Sequence, residues 1–365
     1  MWFRRLLART IAPIDPPLLV IALLLMAIGL VTLYSASGED QARVLDQVRN
    51  MAVALLAMWV VAGVSPQHLA RVAVPLYLVG LILLAGVAIW GEVSHGARRW
   101  LHLGFGRIQP SELMKIALPL MLAWFFEKCE QNVRLIDFAV AAGLLGLPVA
   151  FIAKQPDLGT ALLISASGFY VMFLAGLGWR IILGLTAIAG ISLPLVWSVL
   201  HDYQRKRVLT LLDPTQDPLG AGYHTIQSTI AVGSGGLSGK GWLSGTQAHL
   251  DFLPERTTDF IFAVFSEEFG LVGILVLLVL LLLLTGRGLV IAANGTTPFT
   301  RLAGAGLTLT LFTYAFVNMG MVSGILPVVG VPLPFLSYGG TSMVTILLSI
   351  GILMSIQHYR KTGAA

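Results

Sequence analysis

Apolar runs, each near the ~20 residues needed to cross bilayer hydrocarbon as a helix, recur along the whole chain. Leu18 to Leu33, Leu76 to Trp90 and Phe269 to Leu284 are the plainest. Others run from Met51 to Val64, Leu113 to Phe126, Leu135 to Ala153, Ala161 to Leu177, Ile181 to Leu200, Leu302 to Val322 and Ser342 to Ile356. The pattern predicts an all-α, polytopic membrane protein with about ten transmembrane helices, in one membrane domain spanning residues 1–365. Connections on one side are short. On the other they are modest, except for residues 201–259, a single large loop on the side opposite the N-terminus. Structureless connections of that size are usually functional.

Composition agrees: of 365 residues, 56% are hydrophobic and 11% charged, with a mean hydropathy of +0.85. Soluble domains carry roughly a quarter charged residues, so an ordinary globular enzyme is excluded. The start, with Arg4, Arg5 and Arg9 before an apolar run, has the charge pattern of a signal peptide. The run exceeds the usual apolar region of such a peptide and further spans follow, so it reads as the first span. Cys129 stands alone and the seven histidines are scattered, so no disulfide and no structural metal are expected.

With ten spans, Arg4, Arg5, Arg9, Arg71, Lys128, Arg134, Arg180, Arg287, Arg301, Arg360 and Lys361 fall on one side, against four acids, Asp15, Glu127, Glu130 and Asp137. The positive-inside rule makes that side, with both termini, cytoplasmic. The pI of 9.5 therefore reflects topology and implies no nucleic-acid partner.

Several segments are too polar for a bland bundle. The stretch from His201 to Asp259 begins with Arg205, Lys206 and Arg207, continues through Asp213-Pro214 and Asp217-Pro218, and centres on Gly233 to Gly245. The run Gly233 to Gly241 resembles a phosphate loop but fails its pattern, because Gly241 stands where Ser or Thr would bind magnesium. Two readings remain for it: backbone N–H groups approaching a polar ligand beside Lys240, or a tightly turned loop.

Glu112 and Lys115 stand three apart on one face at the start of the fourth span, either pairing helices or shaping a cavity. Arg98, Arg99 and Arg107 crowd the loop before it, which suggests an anionic partner or a solvated face. Asp157 precedes the sixth span as a candidate helix cap. Glu267 and Glu268 follow Asp259 by about two turns, so one of them is expected to share a cavity with it. The Pro- and Gly-rich Leu326 to Ser342 is irregular backbone at membrane depth, tolerated where it lines a cavity.

These segments together resemble the SEDS family of cell-wall proteins. The resemblance rests on Gln109-Pro-Ser-Glu-Leu-Met-Lys115, Gln155-Pro-Asp-Leu-Gly-Thr160, Gly235-Gly-Leu-Ser-Gly-Lys-Gly241, Phe252-Leu-Pro-Glu-Arg-Thr-Thr-Asp-Phe-Ile-Phe262 and Ser337-Tyr-Gly-Gly-Thr-Ser342, in this order over most of the chain. Pro327-Val-Val-Gly-Val-Pro-Leu-Pro334 and the short C-terminus favour the elongation branch over the division branch.

The resemblance implies a peptidoglycan glycosyltransferase of the bacterial inner membrane, polymerising lipid II outside the cytoplasm. It also implies a class B penicillin-binding protein as membrane partner, and membership of the elongation machinery. Such chemistry needs a base for the acceptor hydroxyl and positive charge for the departing diphosphate. Asp259 is the candidate base, where the long loop meets the membrane. Candidates for the diphosphate are Arg98, Arg99, Lys115, Lys154, Arg205, Arg207, Lys240 and Arg256, with Glu112, Asp157 and Glu267 around the same cavity.

An α-linked donor giving a β-linked chain implies inversion by single displacement, for which one carboxylate suffices. A divalent cation is compatible with the diphosphate, but no ligand cluster demands it. The rival reading is a transporter that flips the lipid-linked precursor, against which stand the lack of an evident internal repeat and the gathering of polar residues on one side. A scaffold without chemistry leaves the buried charges without a use. The partner is expected on the flank of the eighth and ninth spans, where Gly304, Ala305 and Gly306 permit close helix approach.

Overall fold

A computed structural model describes residues 12–94, 97–102, 107–129, 133–155, 157–199, 205, 209–211, 213–216, 221–249, 253 and 255–362. Its helices are α1 (Pro16–Ala36), α2 (Gln41–Ala62), α3 (Pro66–Trp90), α4 (Pro110–Lys128), α5 (Leu135–Lys154), α6 (Leu158–Leu174) and α7 (Trp179–Val199), then α8 (Ala221–Ser234), the short α9 (Thr246–His249), α10 (Ile261–Ala293), α11 (Pro298–Val322) and α12 (Gly340–Thr362). Among the described residues, α1, α2, α3, α5, α10, α11 and α12 are the seven helices long and apolar enough to cross a membrane, while α6 and α7 contain shorter apolar segments.

The starts are written locally. Proline occupies the first turn of α1, α3, α4 and α11, where its missing N–H costs no hydrogen bond. Asp15, Asp40, Ser65, Asp157 and Thr297 cap their helices by accepting from first-turn N–H groups.

Helices α4 and α11 form the centre, with α4 packed on α3, α6 and α11, and α12 lying along α2. Outward side chains such as Ile82, Ile191 and Val272 are apolar and exposed, as a lipid-facing surface requires. Arg287 donates twice to Asp15, at 3.1 and 2.6 Å, tying α10 to the start of α1.

Between α3 and α4 the chain forms a small antiparallel sheet that hydrophobic periodicity did not reveal: β1 (Glu92–Ser94), β2 (Ala97–His102) and β3 (Arg107–Ile108), in that order. Strands β1 and β3, of three and two residues, are too short to show an alternating pattern, and the six-residue β2 reads Ala-Arg-Arg-Trp-Leu-His without one.

The stretch 201–259 is not a structureless loop, since it contains α8 and α9. Its Gly-rich centre serves the fold. Helix α10 breaks at Gly270, which has φ of +61°, and the loop supplies the partners that the break removes. Lys240 N–H donates to Glu267 O at 3.0 Å and Gly241 N–H to Glu268 O at 3.1 Å, while Leu271 and Val272 donate back to Gly236 O and Leu237 O. A Cβ on Gly270 would lie 2.2 Å from Gly239 N, so only glycine fits. The N–H groups of Lys240 and Gly241 are thus committed to α10, which overturns the reading of this segment as a ligand cradle.

A second correction concerns Gly304, Ala305 and Gly306. Gly304 faces Ala292 and Ile356, Gly306 faces Val171 and Pro119, and Ala305 is buried. These small residues let α11 approach other helices of the same chain, so they form no free surface for a partner.

Candidate active site

Asp259 ends a turn, Glu255 to Phe260, immediately before α10. Its backbone is fixed from two directions. Asn318 of α11 donates from Nδ2 to Asp259 O at 2.8 Å and to Val331 O at 2.7 Å, joining the turn to the Pro-rich segment before α12. Ser337 Oγ donates to Thr258 O at 2.7 Å, and Tyr338 N–H to Thr257 O at 2.9 Å. Gln47 of α2 in turn donates to Ser337 O at 3.2 Å and accepts from Gly339 N–H at 3.3 Å. The irregular 327–339 stretch therefore acts as a bracket for the turn that carries Asp259. Gly159 allows α6 to cross this stretch closely, since a Cβ there would meet Val329 O at 2.3 Å.

The bracket closes a cavity of about 430 Å³ lined by Arg99 and Trp100 of β2, Glu112 and Lys115 of α4, Asp157 and Thr160, Glu255 and Asp259, and Gly330 to Pro332. Each cation here already faces one carboxylate. Arg99 Nε lies 3.6 Å from Asp157 Oδ2; Asp157 also accepts from Thr160 N–H at 3.2 Å and Thr160 Oγ1 at 3.0 Å. Lys115 pairs with Glu112 and sits 4.6 Å above the Tyr314 ring.

Glu255 and Asp259 remain as surplus negative charge. Burial, reinforced by the charges of Glu255 and Asp157 and opposed by Arg99, pushes the Asp259 carboxyl up to about 6. Among the described residues no donor holds the Asp259 carboxylate, so both its oxygens are free to accept.

An apolar groove of about 380 Å³ adjoins the cavity and shares Gln109, Glu112 and Thr341 with it. Its walls are Val53, Leu113, Ile116, Val344 and Leu348, on α2, α4 and α12.

A half-buried carboxylate without a donor among the described residues, two paired cations and an adjoining apolar groove thus meet at one place in the fold. The FtsW/RodA/SpoVE family of cell cycle proteins matches residues 17–362. The chain belongs to that family. It is 51% identical over 349 residues to the peptidoglycan glycosyltransferase MrdB of Escherichia coli, covering 95% of this chain and 94% of the relative. A probable peptidoglycan glycosyltransferase FtsW of Geobacter metallireducens is 37% identical, covering 94% of each chain.

Among solved structures, a chain from a study of the structural coordination of polymerization and crosslinking by a peptidoglycan synthase complex superposes with a TM-score of 0.83 at 37% identity, covering 95% of this chain and 98% of the other. The rod shape determining protein RodA of Thermus thermophilus gives 0.72 at 31% identity, over 95% and 97%.

Within this FtsW/RodA/SpoVE chain, Asp259, Glu112, Lys115, Asp157 and Arg99 line one cavity. The others do not. Glu267 is fully buried and faces the Gly-rich loop, accepting from Lys240 Nζ at 2.6 Å, Thr246 N–H at 2.9 Å and Gln247 N–H at 3.1 Å. Glu268 accepts from Ser35 Oγ of α1. Neither lines the cavity of Asp259, and Lys240 is spent on Glu267 rather than offered to a diphosphate. The helix is unbroken from Ile261 to Phe269, so these residues sit about two turns further along than Asp259, where the Gly-rich loop and Ser35 of α1 pack.

Arg205 donates to Trp197 O at 3.0 Å and Ser198 O at 2.8 Å, closing the end of α7. Lys154 and Arg256 do not line the cavity either. The side chain of Arg98 and all of Arg207 lie outside the described residues. Sequence reasoning missed Glu255, Trp100, Tyr338 and Asn318. Glu255 and Tyr338 stand inside segments already marked by their turn residues, whereas Asn318 carries no local signal within an apolar helix.

Proposed function

We infer that this chain is a peptidoglycan glycosyltransferase that polymerises lipid II, with Asp259 as the base of an inverting single displacement. The observation that carries this reading is the unpartnered, half-buried Asp259 carboxylate in a cavity that also holds Arg99 and Lys115. In the displacement, Asp259 takes the proton of the acceptor sugar hydroxyl as its oxygen bonds the donor anomeric carbon, and the bond from that carbon to the diphosphate oxygen breaks. The departing diphosphate draws Arg99 and Lys115 from their carboxylate partners toward its own oxygens. Once protonated, Asp259 no longer repels the product, and it returns its proton to water. The apolar groove takes the polyprenyl tail, so the headgroup enters the cavity from the membrane side.

This is a multi-pass protein of the inner membrane. In the full topology α4, α6 and α7 join the seven long apolar helices to make ten spans, with both termini cytoplasmic and the Asp259 cavity facing outward. The excess of Lys and Arg beside the cytoplasmic span ends supports that orientation. The structural likeness to a chain of a peptidoglycan synthase complex supports a crosslinking class B penicillin-binding protein as partner within the elongation machinery.

Purified lipid II incubated with the protein and that partner, whose own crosslinking is blocked, is expected to give long glycan with the wild type and none with Asp259→Asn. Normal polymer from folded, partner-bound Asp259→Asn would make the residue structural. Wild type that makes no polymer but moves labelled lipid across vesicles would replace the reading with transport.

A further inference from the structure

Glu255 opens the turn that ends in Asp259 and adopts φ of +56°, a left-handed conformation that a glutamate rarely takes. Its carbonyl oxygen accepts from Thr258 N–H at 3.1 Å, Phe260 N–H at 3.2 Å and Thr258 Oγ1 at 3.2 Å, so the strained residue closes the turn on itself. Its carboxylate accepts from Thr258 Oγ1 at 3.0 Å and lines the same cavity as Asp259. Strained non-glycine residues persist where their surroundings over-determine them, and they cluster at active sites.

Most elements packed around the cavity bring a charge or a titratable group, while α12 brings only Thr341 and Ser342. Arg99 comes from β2 and faces Asp157, the cap of α6; Lys115 and Glu112 come as a pair from α4. Tyr338 comes from the segment before α12, under Arg43 of α2. On the far side of the turn, His224 of α8 stacks on Phe260 at 5.6 Å. Both cations already face a carboxylate, so the charge of Glu255 acts on Asp259 without a dedicated counter-ion between them.

We propose that Glu255 is a positioning residue for the Asp259 base, shaping the turn through its left-handed backbone and loading the cavity with negative charge through its carboxylate. The proposal rests on the transferase reading above. A like charge beside a base delays its ionisation and strengthens it once ionised. Removing it therefore moves the acid limb of kcat/KM to lower pH and lowers the plateau, while leaving the KM for lipid II little changed.

The test is polymerisation of purified lipid II by the full chain with its penicillin-binding partner over roughly pH 5 to 8. Wild type, Glu255→Gln, Glu255→Asp and Glu255→Gly are compared, with Asp259→Asn as the reference for loss of the base. Glu255→Gln is expected to shift the limb down by about half a pH unit or more and to cut kcat ~3- to 10-fold. Glu255→Asp retains the charge and keeps the limb near that of the wild type.

Glu255→Gly accepts the left-handed backbone without strain, so it decides the charge effect if the glutamine variant fails to fold. It too is expected to shift the limb down. Limbs and plateaus identical to wild type in the glutamine and glycine variants, with Asp259→Asn inactive, would overturn the role of Glu255 and leave the transferase reading standing. Activity in Asp259→Asn, or none in the wild type, overturns that reading and this proposal with it.

Discussion

The side-chain amide of Asn318 donates to the carbonyl oxygen of Asp259 at 2.8 Å. The same nitrogen reaches Val331 O at 2.7 Å, so one fully buried residue of α11 holds both the base-bearing turn and the segment opposite it. Asn318→Leu strips the donor from two carbonyls, each costing about 1–3 kcal/mol when left unsatisfied. Polymerisation is expected to fall ~10- to 100-fold in kcat as the base loses its placement, with lipid II binding less affected. An unchanged kcat in a folded Asn318→Leu protein would show that the turn is held by Ser337 and Tyr338 alone.

The acid limb of activity is set by Asp259. A base works deprotonated, so activity is full above its pKa and is lost as pH falls through about 6. Arg99 opposes the upward push on this carboxyl. Arg99→Gln should therefore raise the limb, the reverse of the shift expected for Glu255→Gln, and should weaken diphosphate stabilisation as well. Rate profiles across pH for the two variants test the opposite signs.

Glu267 and Lys240 latch the Gly-rich loop to α10. Glu267→Ala leaves the N–H groups of Thr246 and Gln247 without this acceptor and Lys240 without its ion pair. A loss of about 3 kcal/mol is expected, as for other buried pairs broken on one side. Lys240→Met should cost less, about 1–2 kcal/mol, because Thr246 and Gln247 still hold the carboxylate. Thermal unfolding of the purified protein gives the order. Equal losses would mean that the ion pair, not the N–H cradle, dominates.

Gly159→Ala tests the crossing of α6 over the bracket. The added Cβ would sit 2.3 Å from Val329 O, a backbone atom that cannot swing away. The expected cost is about 1–3 kcal/mol. Activity should fall with it, because Gly330, Val331 and Pro332 of the displaced segment line the cavity. A melting temperature and an activity like those of the wild type would show that the bracket yields freely.

Local physics made much of this protein legible before any coordinates. Apolar runs long enough for lipid predicted the helices, and capping side chains and first-turn prolines marked several starts. Asp157 capping α6, the Glu112 and Lys115 pair one turn apart, and Asp259 where a polar segment meets α10 follow from spacing along the chain. What spacing cannot carry is which segment packs beside a given turn of helix. Glu267 lies eight positions after Asp259 on an unbroken stretch of α10, and there the Gly-rich loop, with Lys240, Thr246 and Gln247, covers it instead of the cavity. Likewise Gly304 and Gly306 announce close approach but not the partner, which proved to be this chain's own helices. The membrane-length helices, several of their starts and the residue types able to do the chemistry follow from neighbours within a turn or two, whereas α8 and α9 inside the 201–259 stretch did not show in the hydropathy pattern. Which charges meet depends on how the helices pack. Asn318 and Ser337 reach Asp259 or its turn, and Gln47 reaches Ser337, across tens to hundreds of residues, and hydrogen bonds of that range exist only once the helices have packed.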